Sequence, residues 1–361
     1  MPPTVLLDAT PLARGHSTRG IGAYTRLLID ALASTLPREE RPTLLTVRGH
    51  PAPPGFDRAA IRWPRWPVSR IPDPWPAIGV EREVRRLGAR LFHATQPELL
   101  PGQGSGVTVA TCYDLIPHHH PSRNPSHRAA YRRYERRLRT VRLITAISQA
   151  TADDLTRTLG IPAHRIRVTP LGVPPLATPA GPTPSHPYVL YSNGIETHKN
   201  PQLAVDAVAR ASGRLRLVMT GTWSRRRLRE LQERARAVGA AGRIDWLGHV
   251  PAERLAALRR DAIAVLVPSW VEGFGLPLLE ALAAGTPAIA SDIPALRETG
   301  GDAAILLHPG DVDAWTHAIE RLADTPEERP AIADRGRARA AAFTWERTAR
   351  LTVDAWREAL A

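Results

Sequence analysis

At 361 residues, 43% of them hydrophobic, the chain is long for a single core and is expected to form two domains. Its one cysteine, Cys112, excludes an internal disulfide framework and any cysteine-rich metal site. The formal net charge of +13 is spread over arginines along the whole chain without a nucleic-acid motif, so no nucleic-acid partner is expected; anionic substrates or a membrane surface fit the charge equally well.

The first eight residues lack both the basic start and the long apolar core of a signal peptide, and no run reaches transmembrane length. A cytoplasmic protein is the expectation. Short apolar runs at 4–8, 44–47, 90–92, 107–112, 143–146 and 167–169 read as buried strands alternating with helical patterns. Cys112 lies in one of these runs and reads as a strand residue rather than a nucleophile. Between them, the Pro/Trp-rich stretch 63–76 reads as an irregular loop whose aromatics either line an acceptor cleft or pack under a cover. The run His118-His119-His120 suggests a metal site at first sight, but three adjacent side chains rarely converge on one ion. Next, Tyr131, Tyr134, Leu138 and Val141 form a helical stripe opposite Arg132, Arg133, Arg136, Arg137 and Arg139. An ordinary surface helix is the preferred reading, and a basic helix lying peripherally on an anionic membrane is the alternative.

Residues 174–187 carry the densest proline cluster and read as a linker. A second set of strand-like runs follows at 188–191, 214–219, 244–247, 262–267, 287–290 and 304–307. Asp311-Val312-Asp313 has the look of an acidic metal motif, yet it immediately precedes a helical run, so helix capping is the expected role. No bound metal is expected. Residues 343–360 repeat Trp345, Ala349, Val353 and Trp356 at helical spacing and read as a terminal helix.

Two short stretches carry chemistry. In Glu272-Gly273-Phe274-Gly275-Leu276-Pro277-Leu278-Leu279-Glu280, a strand runs into a glycine turn and then a helix over 276–284, with Pro277 suited to the first helical position. Such a turn gathers free N–H groups and a positive dipole end, a ready anion site. Acids on both sides of it suit a ligand with a diphosphate between polyols. The other stretch is Ser192-Asn193-Gly194-Ile195-Glu196-Thr197-His198-Lys199-Asn200. Lys199 is the only lysine against 47 arginines, as expected where a compact ammonium is required and a planar fork will not fit.

Together these residues resemble the family 4 retaining glycosyltransferases of GT-B fold. That family's pattern has paired glutamates around Gly-Phe-Gly and an upstream Lys-Asn after a strand. Arg19-Gly20-Ile21-Gly22-Ala23-Tyr24-Thr25 resembles its N-terminal glycine loop, and the likeness runs over most of the chain. The resemblance implies two doubly wound Rossmann-like domains facing across a cleft: 1–173 on the acceptor side, 188–342 on the nucleotide-sugar donor side, and 343–361 crossing back to the first domain. It implies Glu272 at the transferred sugar, Glu280 on the nucleotide ribose, and Lys199 against the leaving diphosphate. The amides of Phe274, Gly275 and Leu276 would meet the phosphates, with Gly273 beside them on the donor and Gly22, Tyr113 and Asp114 contributing from the first domain. Two departures stand out. Gly194 occupies a position where many members carry arginine, with Arg19 a candidate to compensate, and Tyr113 replaces a frequent histidine.

The expected function is therefore a metal-independent, retaining hexosyl-type transferase without a cofactor, moving a sugar from a nucleoside-diphosphate donor to a hydroxyl acceptor. A GT-B epimerase or hydrolase, or a lapsed basic binding scaffold, are the alternatives. The base, sugar, acceptor and oligomeric state are not legible.

Overall fold

The computed structural model describes residues 4–13, 20–61, 75–96, 99–101, 106–120 and 124–361. The chain divides into two compact units, one comprising Met1–Gly172 with Thr344–Ala361 and the other Val173–Phe343.

The first unit holds a parallel sheet in the order β3-β2-β1-β4-β5-β6-β7. Its strands are β1 (Val5–Asp8), β2 (Thr43–Val47), β3 (Arg58–Ile61), β4 (Leu91–Ala94), β5 (Val107–Cys112), β6 (Leu143–Ala146) and β7 (Ile166–Val168). The central strands are buried at every position, as expected when helices cover a parallel sheet, and they take even the polar His93 and Thr145 into the interior. Strand β3 was not among the expected runs. Its sequence, Arg-Ala-Ala-Ile, has little β propensity and alternates exposed with buried positions, as suits an edge strand.

The helix Trp345–Leu360 belongs to this unit and packs on the helix Gly20–Thr35 and on β5 and β6. Thr344 caps it by accepting from the Arg347 N–H at 3.2 Å. Thr348 donates its hydroxyl to the Pro170 carbonyl, and Arg167 forms a two-pronged ion pair with Glu358. Trp356 reaches the centre of the sheet, donating its indole N–H to Nδ1 of fully buried His93 at 2.9 Å. At the re-entry point a Cβ on Gly172 would lie 2.3 Å from the Trp345 nitrogen, so only glycine permits this backbone approach.

The second unit repeats the plan with the parallel order β10-β9-β8-β11-β12-β13. These strands are β8 (Tyr188–Ser192), β9 (Arg216–Thr220), β10 (Ile244–Gly248), β11 (Val265–Val267), β12 (Ala288–Ser291) and β13 (Ile305–Leu307). Each of the six expected runs of this half overlaps one of them, four of the strands running one residue further. The proline-rich stretch 174–187 forms no helix or strand and is bound to this unit, with Ala180 donating to the Glu253 carbonyl and His186 pairing with Asp245. Among the described residues no helix is long and apolar enough to cross a membrane.

Candidate functional site

The second sheet gathers its polar loops at the carboxyl ends of β8, β11 and β13, beside the point where strand order reverses. After β11 the chain turns through 268–275 into the helix Leu276–Ala284. Gly275 makes the turn with φ of +92°, and a Cβ there would sit 2.3 Å from Leu296 Cδ2, so the position needs glycine twice over. Leu276 rather than Pro277 opens the helix, so the proline stands at the second helical position. No acceptor among the described residues meets the N–H groups of Phe274, Gly275 or Leu276. The Phe274 ring, by contrast, is 2% exposed and packs edge-on against Phe343 at 5.7 Å, while its carbonyl accepts from Thr299 Oγ1. Its amide is open and its ring is committed to the core.

The Lys199 loop lies beside this turn. A 3-10 turn, Thr197–Lys199, ends on Asn200, which adopts φ of +51° and donates its side-chain amide to the Pro309 carbonyl at 2.8 Å. Asparagine tolerates this left-handed conformation, and the bond ties the loop after β8 to the loop after β13. The Trp270 N–H donates to the His198 carbonyl at 2.8 Å, lacing in the loop after β11. As a result Lys199 Nζ stands 2.7 Å from Glu272 Oε1, and Ser269 Oγ donates to the same oxygen at 2.8 Å. The lysine is 17% and the glutamate 7% exposed, so this is a shielded pair rather than a surface ion pair. The second oxygen of Glu272 has no partner among the described residues.

The departure at Gly194 has a local correlate. A Cβ there would lie 2.0 Å from Glu196 Oε2, so a carboxylate end occupies the space that a longer side chain would enter. Arg19 lies outside the described residues. Instead Arg227, in the first turn of the helix Arg225–Ala237, donates to Thr197 Oγ1 at 2.8 Å and brings a second cation onto the Lys199 loop.

Glu280 is held by a separate partner. Its side chain is about a quarter exposed and forms an ion pair with Arg259, which is 4% exposed in the helix Ala252–Asp261. Burial pushes the Glu280 carboxyl above its ordinary range, and the Arg259 charge pulls it back. Neither Arg259 nor Ser269 was anticipated, since one arginine among 47 carries no signal and a serine four residues ahead of Gly273 is unremarkable.

The first-unit candidates are held in their own network. Tyr113 donates its hydroxyl to the Thr95 carbonyl at 2.7 Å, and burial holds its pKa well above the ordinary value. Asp114 Oδ1 accepts from the Ile116 N–H at 2.9 Å, an Asx turn leading into the short helix Ile116–His119. Gly22 is buried in the first turn of the helix Gly20–Thr35. Close by in the fold, Asp8 is fully buried, held by Thr10 and Thr95, and pushed up to about 6 by desolvation. Buried Cys112 is pushed up to about 12, a thiol rather than a nucleophile.

The other suspected features resolve into local pairings. His118 bonds Glu135 and His119 bonds Asp154, so the two rings engage separate carboxylates. Asp311 caps the helix Val312–Asp324 through the Ala314 N–H, and Asp313 pairs with Arg210. Among the described residues no cluster of three or more His, Cys, Asp or Glu is poised to hold an ion. Tyr134, Leu138 and Val141 turn into the core with Tyr131 packed against them, while Arg132 and Arg136 face outward. The apolar stripe is therefore used internally, as in an ordinary surface helix. Residues 63–74 of the Pro/Trp-rich stretch lie outside the described residues, and its last two residues open the helix Trp75–Leu87.

The family described as "Glycosyl transferases group 1" matches residues 179–339, and "Glycosyltransferase Family 4" matches residues 18–175. An O-antigen chain mannosyltransferase B of Escherichia coli is 32% identical over 269 residues, covering 69% of this chain and 70% of that protein. A D-inositol 3-phosphate glycosyltransferase of Paenarthrobacter aurescens is 32% identical over 237 residues, 60% of this chain and 57% of the relative. Among solved structures, sucrose-phosphate synthase from Thermosynechococcus elongatus superposes with a TM-score of 0.77 at 21% identity, covering 98% of both chains. Anabaena HepE, solved with UDP and glucose, gives 0.73 at 16% identity with 98% of both chains covered. At these identities the structural likeness concerns the fold.

Proposed function

The chain belongs to glycosyltransferase family 4, and we propose that it is a retaining enzyme moving a hexose from a nucleoside-diphosphate sugar to an acceptor hydroxyl. The observation that carries this reading is the convergence of three open turn amides with the shielded Lys199–Glu272 pair at one strand edge. The open amides and the ammonium suit a diphosphate. Lys199 offsets the charge that develops on the leaving diphosphate, and Glu272 offers its free oxygen to a sugar hydroxyl or to the oxocarbenium-like anomeric centre. Glu280 accepts from the ribose diol. The names of the relatives, a mannosyltransferase and an inositol-phosphate glycosyltransferase, and the UDP and glucose bound to HepE support a sugar-nucleotide donor. Retention of configuration follows from the family resemblance.

A thermal-shift panel of UDP-, GDP-, ADP- and dTDP-sugars tests the reading, because a true donor raises the melting temperature by mass action. No shift with any of them sinks it. Glu280→Gln is expected to weaken binding of the nucleoside diphosphate itself by about 1.5–3 kcal/mol, the range for hydrogen bonds to charged groups, as read by calorimetry. Activity is expected to persist in excess EDTA, since amides and Lys199 take the part of a divalent ion. A loss restored by Mg²⁺ or Mn²⁺ would show that a metal is required.

A further inference from the structure

We propose that Arg259 is the positioning residue of the nucleotide site, its buried guanidinium fixing Glu280 so that the free carboxylate oxygen faces the vicinal hydroxyls of a bound nucleoside diphosphate. The proposal rests on the reading of Glu280 as the diol acceptor. Its geometric basis is asymmetric. Arg259 is 4% exposed and binds Glu280 Oε2, whereas Glu280 Oε1 has no partner among the described residues and its side chain is about a quarter exposed. One oxygen is gripped from inside and the other is left for a ligand. The grip is anchored at its base, because Thr286 Oγ1 donates to the Arg259 carbonyl at 2.9 Å and ties that helix end to the turn after Leu276–Ala284.

Stability does not account for this arrangement. Burying a guanidinium costs several kcal/mol, and a buried ion pair is commonly no better for stability than apolar residues of the same volume. Here the burial is also incompletely compensated, since the Arg259 Nε is buried with no hydrogen-bond partner in the structure. What the pair supplies is preorganisation. A glutamate held in one rotamer does not have to be ordered when the ligand arrives. The charge of Arg259 also opposes the desolvation that favours a protonated carboxyl, which would be a poorer acceptor for two hydroxyls.

The test is calorimetry on the full chain with UDP, GDP and ADP, each compared with its 2′,3′-dideoxy analogue. Wild type is expected to prefer the ribose form of the nucleotide it binds by at least about tenfold, ~1.4 kcal/mol. Arg259→Met is expected to lose about tenfold in affinity for the ribose form and almost none for the dideoxy form, with Arg259→Lys recovering part of the loss. If Arg259→Met does not fold, Arg259→Lys carries the test through an intermediate loss confined to the ribose form. Absence of binding to all three nucleotides, or equal wild-type affinity for ribose and dideoxy forms, removes Glu280 as diol acceptor and the proposal with it. If wild type discriminates and the Arg259 variants discriminate equally well, only the positioning role fails. Equal losses on both forms would assign Arg259 to maintaining the fold and overturn the proposal.

Discussion

Lys199→Arg is expected to lower turnover roughly tenfold to a thousandfold, the range for losing one preorganised electrostatic contact, while leaving the melting temperature unchanged. The substitution keeps the charge and changes only its shape. Lys199 ends a tight 3-10 turn, its own N–H bound to the Glu196 carbonyl at 2.9 Å, so the backbone cannot easily shift to accommodate a bulkier head. Its ammonium is enclosed beside Glu272 Oε1 at 2.7 Å, where Ser269 already occupies one side of the same oxygen. A guanidinium is wider, planar and directional, and in pairing with Glu272 it would direct its remaining N–H groups along fixed lines rather than toward wherever phosphate charge develops. The loss should fall mainly on kcat, because the interaction strengthens as the diphosphate leaves. Steady-state kinetics with the donor found by thermal shift reads it. Wild-type kinetics in this variant would remove the point-charge role and leave the isolated lysine without a chemical reason.

The same residues show how far sequence reasoning reaches. Lys199, Glu272, Phe274 and Gly275 were legible because strand ends and glycine turns leave local signals, and a parallel sheet brings its strand ends to one edge. The cap at Asp311 was legible for the same local reason. Strand β3 was not, because its pairing with β2 supplies what its own composition lacks. Arg259 and Ser269 escaped because their meaning is tertiary. A buried arginine is indistinguishable in sequence from its exposed neighbour Arg260, and only the approach of two helices gives it Glu280 as a partner. The buried Asp8–Thr95 and His93–Trp356 contacts are of this kind too, each joining residues far apart in the chain.

His93 leads to the second large effect. Relative to a His93→Gln variant, the wild-type protein is expected to lose about 3 kcal/mol of stability between pH 7 and pH 4. His93 is fully buried, and Trp356 donates to its Nδ1, so Nε2 carries the proton given to Thr111 Oγ1 at 2.9 Å. An imidazolium would have no acceptor for the proton on Nδ1, and desolvation brings the pKa down to about 3 from its ordinary value of 6.5. Between those two values the unfolded chain binds more protons than the folded one. Stability therefore rises with pH across this window, is fully present above about 6.5, and is lost as pH falls toward 3. Asp8 acts in the opposite sense. With its pKa raised from 3.8 to about 6, the folded state holds more protons in that interval, and its contribution is lost as pH rises through 6. Between about 4 and 6 the two slopes oppose each other, so a wild-type pH–stability curve alone isolates neither. Comparison with His93→Gln cancels Asp8 and exposes the histidine alone, because glutamine can accept from Trp356 and donate to Thr111 without titrating. Urea unfolding of both proteins at each pH, followed by tryptophan fluorescence, reads the difference. A gap between the two that stays constant from pH 7 to pH 4 would mean His93 titrates as it does in water and is not sealed beneath the C-terminal helix.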